Sequence, residues 1–271
     1  MGTQRQYTGT AGRTENAQVA VYLAYAAPAG SAFIDRALYL PRSWTSDPDR
    51  CRGAGVPQDT AFATKPALAR QMIARALDAG TPAAWATADE VYGQDPALRA
   101  ELARRGLGYV LAVAKSHLVT TAIGPRPAAE LARRLPARAW QRLSAGPGAK
   151  GPRWYDWALI EVTDPAVAEG TGPHWLLIRR RISDGEYAFY RAHASHPVPL
   201  AQLVKVAGSR WKIEDGFAAG KELAGLDEHQ VRSWTSWHRW TILACSPTPS
   251  SPSWPQPSPA AATRTMTCSY R

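Results

Sequence analysis

Between Pro66 and Ala114 the chain alternates helix-spaced and strand-like segments, and this alternation restricts the possible folds more than any other feature. Leu68, Met72, Ile73 and Leu77 recur at helical spacing, and Gly80 stops the run. Residues 83–88 form a short apolar strand that delivers Asp89 at its C-terminal end. A second helix follows over about 95–105, and residues 109–114 read as the next strand. Upstream, 18–26 and 31–40 read as a hairpin bounded by Pro28, Gly30 and Pro41. This order predicts an α/β fold with a partly parallel sheet covered by helices.

The character changes between about Thr120 and His196. Residues 154–162, 174–182 and 186–192 read as successive strands, with Asp184-Gly185 as the turn between the last two. Helix resumes near Pro199, and a final helix is expected over 227–244. Beyond Cys245 the chain turns abruptly to Ser, Pro, Thr and Ala, a composition that cannot bury a core and predicts disorder over 245–271.

The 271 residues carry a formal charge of +10, which favours an anionic partner, with nucleic acid the commonest. Part of the excess is arginine in clusters, Arg133-Arg134 and Arg179-Arg180-Arg181, suited to bidentate phosphate contacts. Cys51, Cys245 and Cys268 show no zinc-site or disulfide spacing. No apolar leader and no stretch long enough to span a bilayer is present, so a cytoplasmic protein without a membrane partner is expected.

Two places carry residues suited to chemistry. Arg210, Glu214 and Lys221 stand at i, i+4 and i+11, which on one continuous helix places them within roughly 40° around the axis. They form either a carboxylate flanked by cations or an ordinary exposed Arg/Glu pair. Asp89 ends a buried strand, where open α/β sheets gather ligands, and equally suits a helix N-cap before Pro96. His193 and His196 lack a third ligand nearby in sequence, residues 9–13 read as a turn, and Trp234, Trp237 and Trp240 read as a packed helix face.

Ala88-Asp89-Glu90-Val91-Tyr92-Gly93 together with Arg210-x3-Glu214-x6-Lys221 resembles the DDE transposases of bacterial insertion sequences, in the group with a β-rich insertion before the final glutamate. Residues 4–13, 38–44 and 62–66 support the same resemblance, which spans roughly Gln4 to Trp240. It implies a ribonuclease-H-like mixed sheet flanked by helices and interrupted by the insertion. The expected division is core over 4–119, insertion over 120–196, C-terminal core helices over 197–244, and tail over 245–271.

The resemblance further implies that Asp89 and Glu214 are catalytic metal ligands and that Arg210 and Lys221 are their basic partners. Two Mg²⁺ or Mn²⁺ ions would serve DNA strand cleavage and transfer. Trp154, Trp157 and Trp175 become candidates for holding a base, and self-association is left open. The chain departs from the pattern in three ways. Ala207 stands where the family often has tyrosine, the family's first aspartate and its strand are expected to be missing before Met1, and the C-terminus is aberrant. The expectation is therefore an N-terminally truncated and inactive transposase fragment, with a non-catalytic DNA-binding remnant as the alternative.

Overall fold

The computed structural model describes residues 1–8, 12–27, 30–148, 150–230, 232–245 and 263–270. Along the chain run β1 (Gln4–Thr8), β2 (Arg13–Ala17), β3 (Val19–Ala27), β4 (Gly30–Tyr39), α1 (Arg42–Thr45), α2 (Pro48–Gly53) and α3 (Lys65–Asp78). Next come β5 (Trp85–Ala88), α4 (Glu90–Gly93), α5 (Pro96–Arg104), β6 (Gly108–Val113), β7 (Leu118–Thr121), β8 (Gly124–Pro127) and α6 (Ala128–Arg133). Then follow β9 (Gln141–Gly148), β10 (Gly151–Val162), β11 (His174–Arg180), β12 (Tyr187–His193), α7 (Leu200–Ser209), α8 (Trp211–Ala224), α9 (Trp234–Cys245) and β13 (Thr265–Tyr270). Among the described residues, no helix is long and apolar enough to cross a membrane.

The chain forms two compact units, one from the described residues of 1–81, 212–245 and 268–270, the other from those of 82–211 and 263–267. In the first, β3 and β4 make the expected hairpin, with a register shift between Leu23 and Ala24. Residues 19–26 of β3 are all buried, so both faces of the strand are covered. Helix α3 begins where Thr64 accepts a hydrogen bond from the Ala67 amide at 3.2 Å, and it buries Ala69, Met72 and Ile73. The rings of Tyr22, Phe33 and Phe217 meet at 5.0–5.4 Å, fixing α8 in this core beside Trp237 of α9. Of the tryptophan face expected on the last helix, Trp237 and Trp234 pack in this core, whereas Trp240 lies against His229, and the helix begins at Trp234 and not near 227. The turn expected at 9–13 lies largely outside the described residues.

In the second unit β5 and β6 run parallel, and β12, β11, β10 and β9 extend the same sheet antiparallel. Strands β9 to β12, from the segment read as an insertion, thus share one sheet with β5 and β6. Strand β12 pairs with β6 from Phe189↔Val113 to His193↔Tyr109, giving β6 a partner for backbone groups that would otherwise be exposed at an edge. The compact units break at 81/82 and 211/212. Alternation along β11 feeds two cores. Trp175 and Leu177 pack with Trp157, Tyr190 and Leu203, whereas Leu176 and Ile178 pack with Val113, Val162 and Phe189.

The expected structureless tail is corrected at its end. The proline-free run Thr-Met-Thr-Cys-Ser-Tyr has β-branched and aromatic residues suited to a strand, and β13 buries Thr265 through Ser269. Residues 246–262 of that expectation lie outside the described residues. In the first unit β13 borders β3, and in the second it borders β5, where the Ala84 and Trp85 amides donate to the Arg264 carbonyl at 3.0 and 3.2 Å.

Candidate active site

Asp89 follows directly on the buried strand β5, and both local readings of it are realised. Its Oδ1 accepts from the Val91 amide at 3.0 Å, which makes it the N-cap of α4. It also lines a cavity of about 730 Å³ in the second unit. Glu90 lines the same cavity, as do the cations Lys115, Arg153, Arg179 and Arg210. Tyr155, Trp157, Tyr190 and Trp211 supply aromatic wall.

The cations come from separate elements. Arg179 shares a face of β11 with Trp175 and Leu177 and lies over the Tyr155 ring, 4.6 Å from its centroid. Arg180 points to the other face, pairing with Asp156 at 3.0 Å and stacking over Trp140. Arg153 bridges two walls, since its Nη2 donates to the Ala145 carbonyl at 2.9 Å and to the Gly208 carbonyl at 3.1 Å. The Nε atoms of Arg153 and Arg179 are buried without a hydrogen-bond partner among the described residues. Burial pushes the Tyr190 phenol up, although Arg179 and Arg210 act against it, so the ring lines the cavity as a neutral wall.

Sequence reasoning missed Lys115, Arg153 and Arg179 as site residues; of the three consecutive arginines, only strand register tells which one lines the cavity with Asp89. The three candidate tryptophans separate clearly. Trp157 and Trp175 are core residues, 1% and 8% exposed, whereas Trp154 is 53% exposed. Trp157 also donates from its indole N–H to the Leu143 carbonyl.

Arg210, Glu214 and Lys221 do not ride on one uninterrupted helix. Arg210 caps the C-terminus of α7 and counts with the second unit, whereas Glu214 and Lys221 lie on α8 in the first. Ile213 and Phe217 anchor α8 and leave Glu214 half-buried in its first turn. Lys221 pairs with Asp227 at 3.1 Å.

The resemblance implies a divalent metal. Among the described residues no group of three or more His, Cys, Asp or Glu is arranged to hold one. Within the cavity the carboxylates are Asp89 and Glu90. Their hard oxygens suit Mg²⁺ or Mn²⁺, but two neighbouring carboxylates among four cations do not complete a six-oxygen shell. The fit is to donor type and not to number.

Behind Asp89 lies a buried charge cluster. Asp164 receives Arg99 Nε at 2.6 Å, Arg99 Nη2 at 3.3 Å and Arg191 Nη2 at 3.0 Å, and all three residues are at most 6% exposed. Burial alone would raise the Asp164 carboxyl, but the Arg99 hydrogen bond and the two guanidinium charges outweigh it and hold it below the usual range. Nearby, burial brings the His117 and His174 imidazoles down to about 4, and His174 stacks on His193 at 4.4 Å. The Nδ1 of His193 lies 3.2 Å from the Pro173 carbonyl, and among the described residues its Nε2 has no hydrogen-bond partner.

Histidines lowered in this way stay neutral in the folded unit while the unfolded chain takes up protons from pH 6.5 downward. Stability from them is present above about pH 6.5 and lost as the pH falls to about 4. Thermal melts are therefore expected to drop by roughly 5 °C or more between pH 7 and pH 4.5. A flat profile over that range would contradict the assignment.

No curated protein matches the chain. A family model described as DDE superfamily endonuclease matches residues 1–152, a span that includes Asp89 and Arg99 and stops short of Arg210 and Glu214. With that match covering more than half of the 271 residues, on a mixed sheet flanked by helices, the chain belongs to the DDE superfamily of endonucleases.

Proposed function

We propose that the chain is a transposase-type DDE protein whose second unit binds DNA through the cavity beside Asp89, and that these 271 residues bind DNA without cutting it. Membership of the family implies a nuclease or transposase-like role with DNA as substrate. The observation that carries the finer reading is the cavity itself, where Lys115, Arg153, Arg179 and Arg210 surround two carboxylates and an aromatic wall. Cations from separate elements can each take a phosphate oxygen, and aromatic faces tolerate any base.

In this reading Asp89 and Glu214 are metal-ligating carboxylates, with Arg210 and Lys221 as basic partners. Mg²⁺ or Mn²⁺, when bound, would polarise the phosphodiester and activate the attacking oxygen. The exposed Trp154 is the insertion tryptophan available to a base, and Trp157 supports the wall. An origin in an insertion sequence, strand transfer, and self-association rest on the resemblance alone. The absence of cutting rests on the carboxylates that line the cavity among the described residues, Asp89 and Glu90, too few to hold a metal pair unaided.

Fluorescence anisotropy with a labelled duplex across a salt series tests the binding half. Affinity should fall steeply with salt, and Arg179→Ala should flatten the log–log slope by about 1. A salt-independent affinity, or an unchanged slope in Arg179→Ala and Arg153→Ala alike, would overturn it. A nicking assay with Mg²⁺ tests the other half, with background cleavage expected. Clear cleavage abolished by Asp89→Ala would refute it.

A further inference from the structure

Helix α4 is a single four-residue turn, too short to hold its shape by its own hydrogen bonds. Yet Asp89 depends on it, because the Asp89 Oδ1 bond to the Val91 amide and the Asp89 carbonyl bonds from the Tyr92 and Gly93 amides, at 3.2 and 3.1 Å, are that turn. Something outside the turn must fix it. One part is contact: Gly93 packs so closely on β6 that a Cβ there would sit 2.0 Å from the Ala112 carbonyl oxygen. The other is Arg99 of α5, whose Nη1 donates to the Gly93 carbonyl at 2.8 Å, an acceptor that the end of a helix leaves unsatisfied.

Arg99 is itself aimed from the far side. Its Nε and Nη2 make a two-pronged pair with Asp164, which lies on the loop between β10 and β11 and also caps the Ala166 amide at 3.2 Å. Asp164 is further held by Arg191 of β12, whose Nη2 reaches the Thr163 carbonyl at 3.1 Å as well. Two buried arginines on one carboxylate leave an excess positive charge. Such an arrangement is poor for stability compared with apolar packing of the same volume, so its value lies in geometry.

We propose that Arg99 is a positioning residue for Asp89: clamped by Asp164 of the insertion loop, it holds the α4 turn through the Gly93 carbonyl and so fixes where the Asp89 carboxylate points. The functional importance of Asp89 rests on the reading above, but the mechanical link does not. Only arginine has the geometry, since three of its nitrogens are engaged on two acceptors in one plane. Lysine can keep the charge but cannot hold carboxylate and carbonyl in the same fork.

Amide hydrogen exchange by NMR on the full chain tests the link without DNA or metal. In Arg99→Lys the Val91, Tyr92 and Gly93 amides should exchange about 10–100-fold faster, while Tyr190, Ala192 and Leu177 in the sheet change less than about threefold. Arg99→Gln, which leaves Asp164 paired with Arg191, is the second variant and should give the same pattern. Asp89→Ala, which removes the cap directly, supplies the reference for a released turn. Uniform acceleration across the unit, no change at the three amides, or failure of both Arg99 variants to fold would assign Arg99 to the core and overturn the proposal. A failure of DNA binding with selective exchange intact would instead count against the functional reading alone.

Discussion

Gly208→Ala is expected to destabilise the second unit by about 3 kcal/mol or more and to weaken DNA binding, although alanine is normally the better helix former by about 1 kcal/mol. Gly208 lies in α7 where that helix crosses β9, and an added Cβ would stand 1.8 Å from the Ala145 carbonyl oxygen and 2.7 Å from its carbon. Those atoms are backbone, so no rotamer change relieves the clash and helix or strand must move. The shift would also part the Ala145 and Gly208 carbonyls that Arg153 ties together at 2.9 and 3.1 Å. Urea melts of the variant check the stability, and anisotropy on the surviving folded fraction checks the cavity. A change below about 1 kcal/mol would mean that α7 does not approach β9 as described.

Asp164→Ala should cost about 3–5 kcal/mol, as expected when one partner is removed from a buried ion pair. The variant leaves Arg99 and Arg191 facing one another without their shared carboxylate, both nearly inaccessible to water. Arg191 Nε already lacks a partner among the described residues, so nothing nearby stands ready to absorb the second charge. Adding Arg191→Met to Asp164→Ala removes one uncompensated cation and should recover part of the loss. Chemical denaturation of the single and double variants, read as a cycle, measures this. Additive effects would show that the two residues do not act on each other.

Much of the fold was legible because its signals are local. The periodicity of 66–79, the apolar run before Asp89 and the turn at Asp184-Gly185 each depend on a few neighbouring residues, and each has its counterpart in α3, β5 and the β11–β12 hairpin. Asp89 could be singled out for the same reason. The pairing of β12 with β6 was not legible, because a strand edge names no partner. Arg179 was hidden among three consecutive arginines until register divided them between faces. The break at Arg210 escaped because a helical pattern continues through it: its φ and ψ of −53° and −31° are still helical. Asp164 and Arg99, 65 residues apart, leave no mark of their contact in either local sequence.

The place of β13 bears on how this protein is made. Its neighbours β3 and β5 emerge from the ribosome early, yet the strand that borders each is translated after every other described element. Until then both present unsatisfied amides and carbonyls to whatever strand is near, including those of other nascent copies. Contacts of such long sequence separation form slowly. Yield of this protein should therefore respond more to chaperone supply and growth temperature than the packing of its finished cores would suggest.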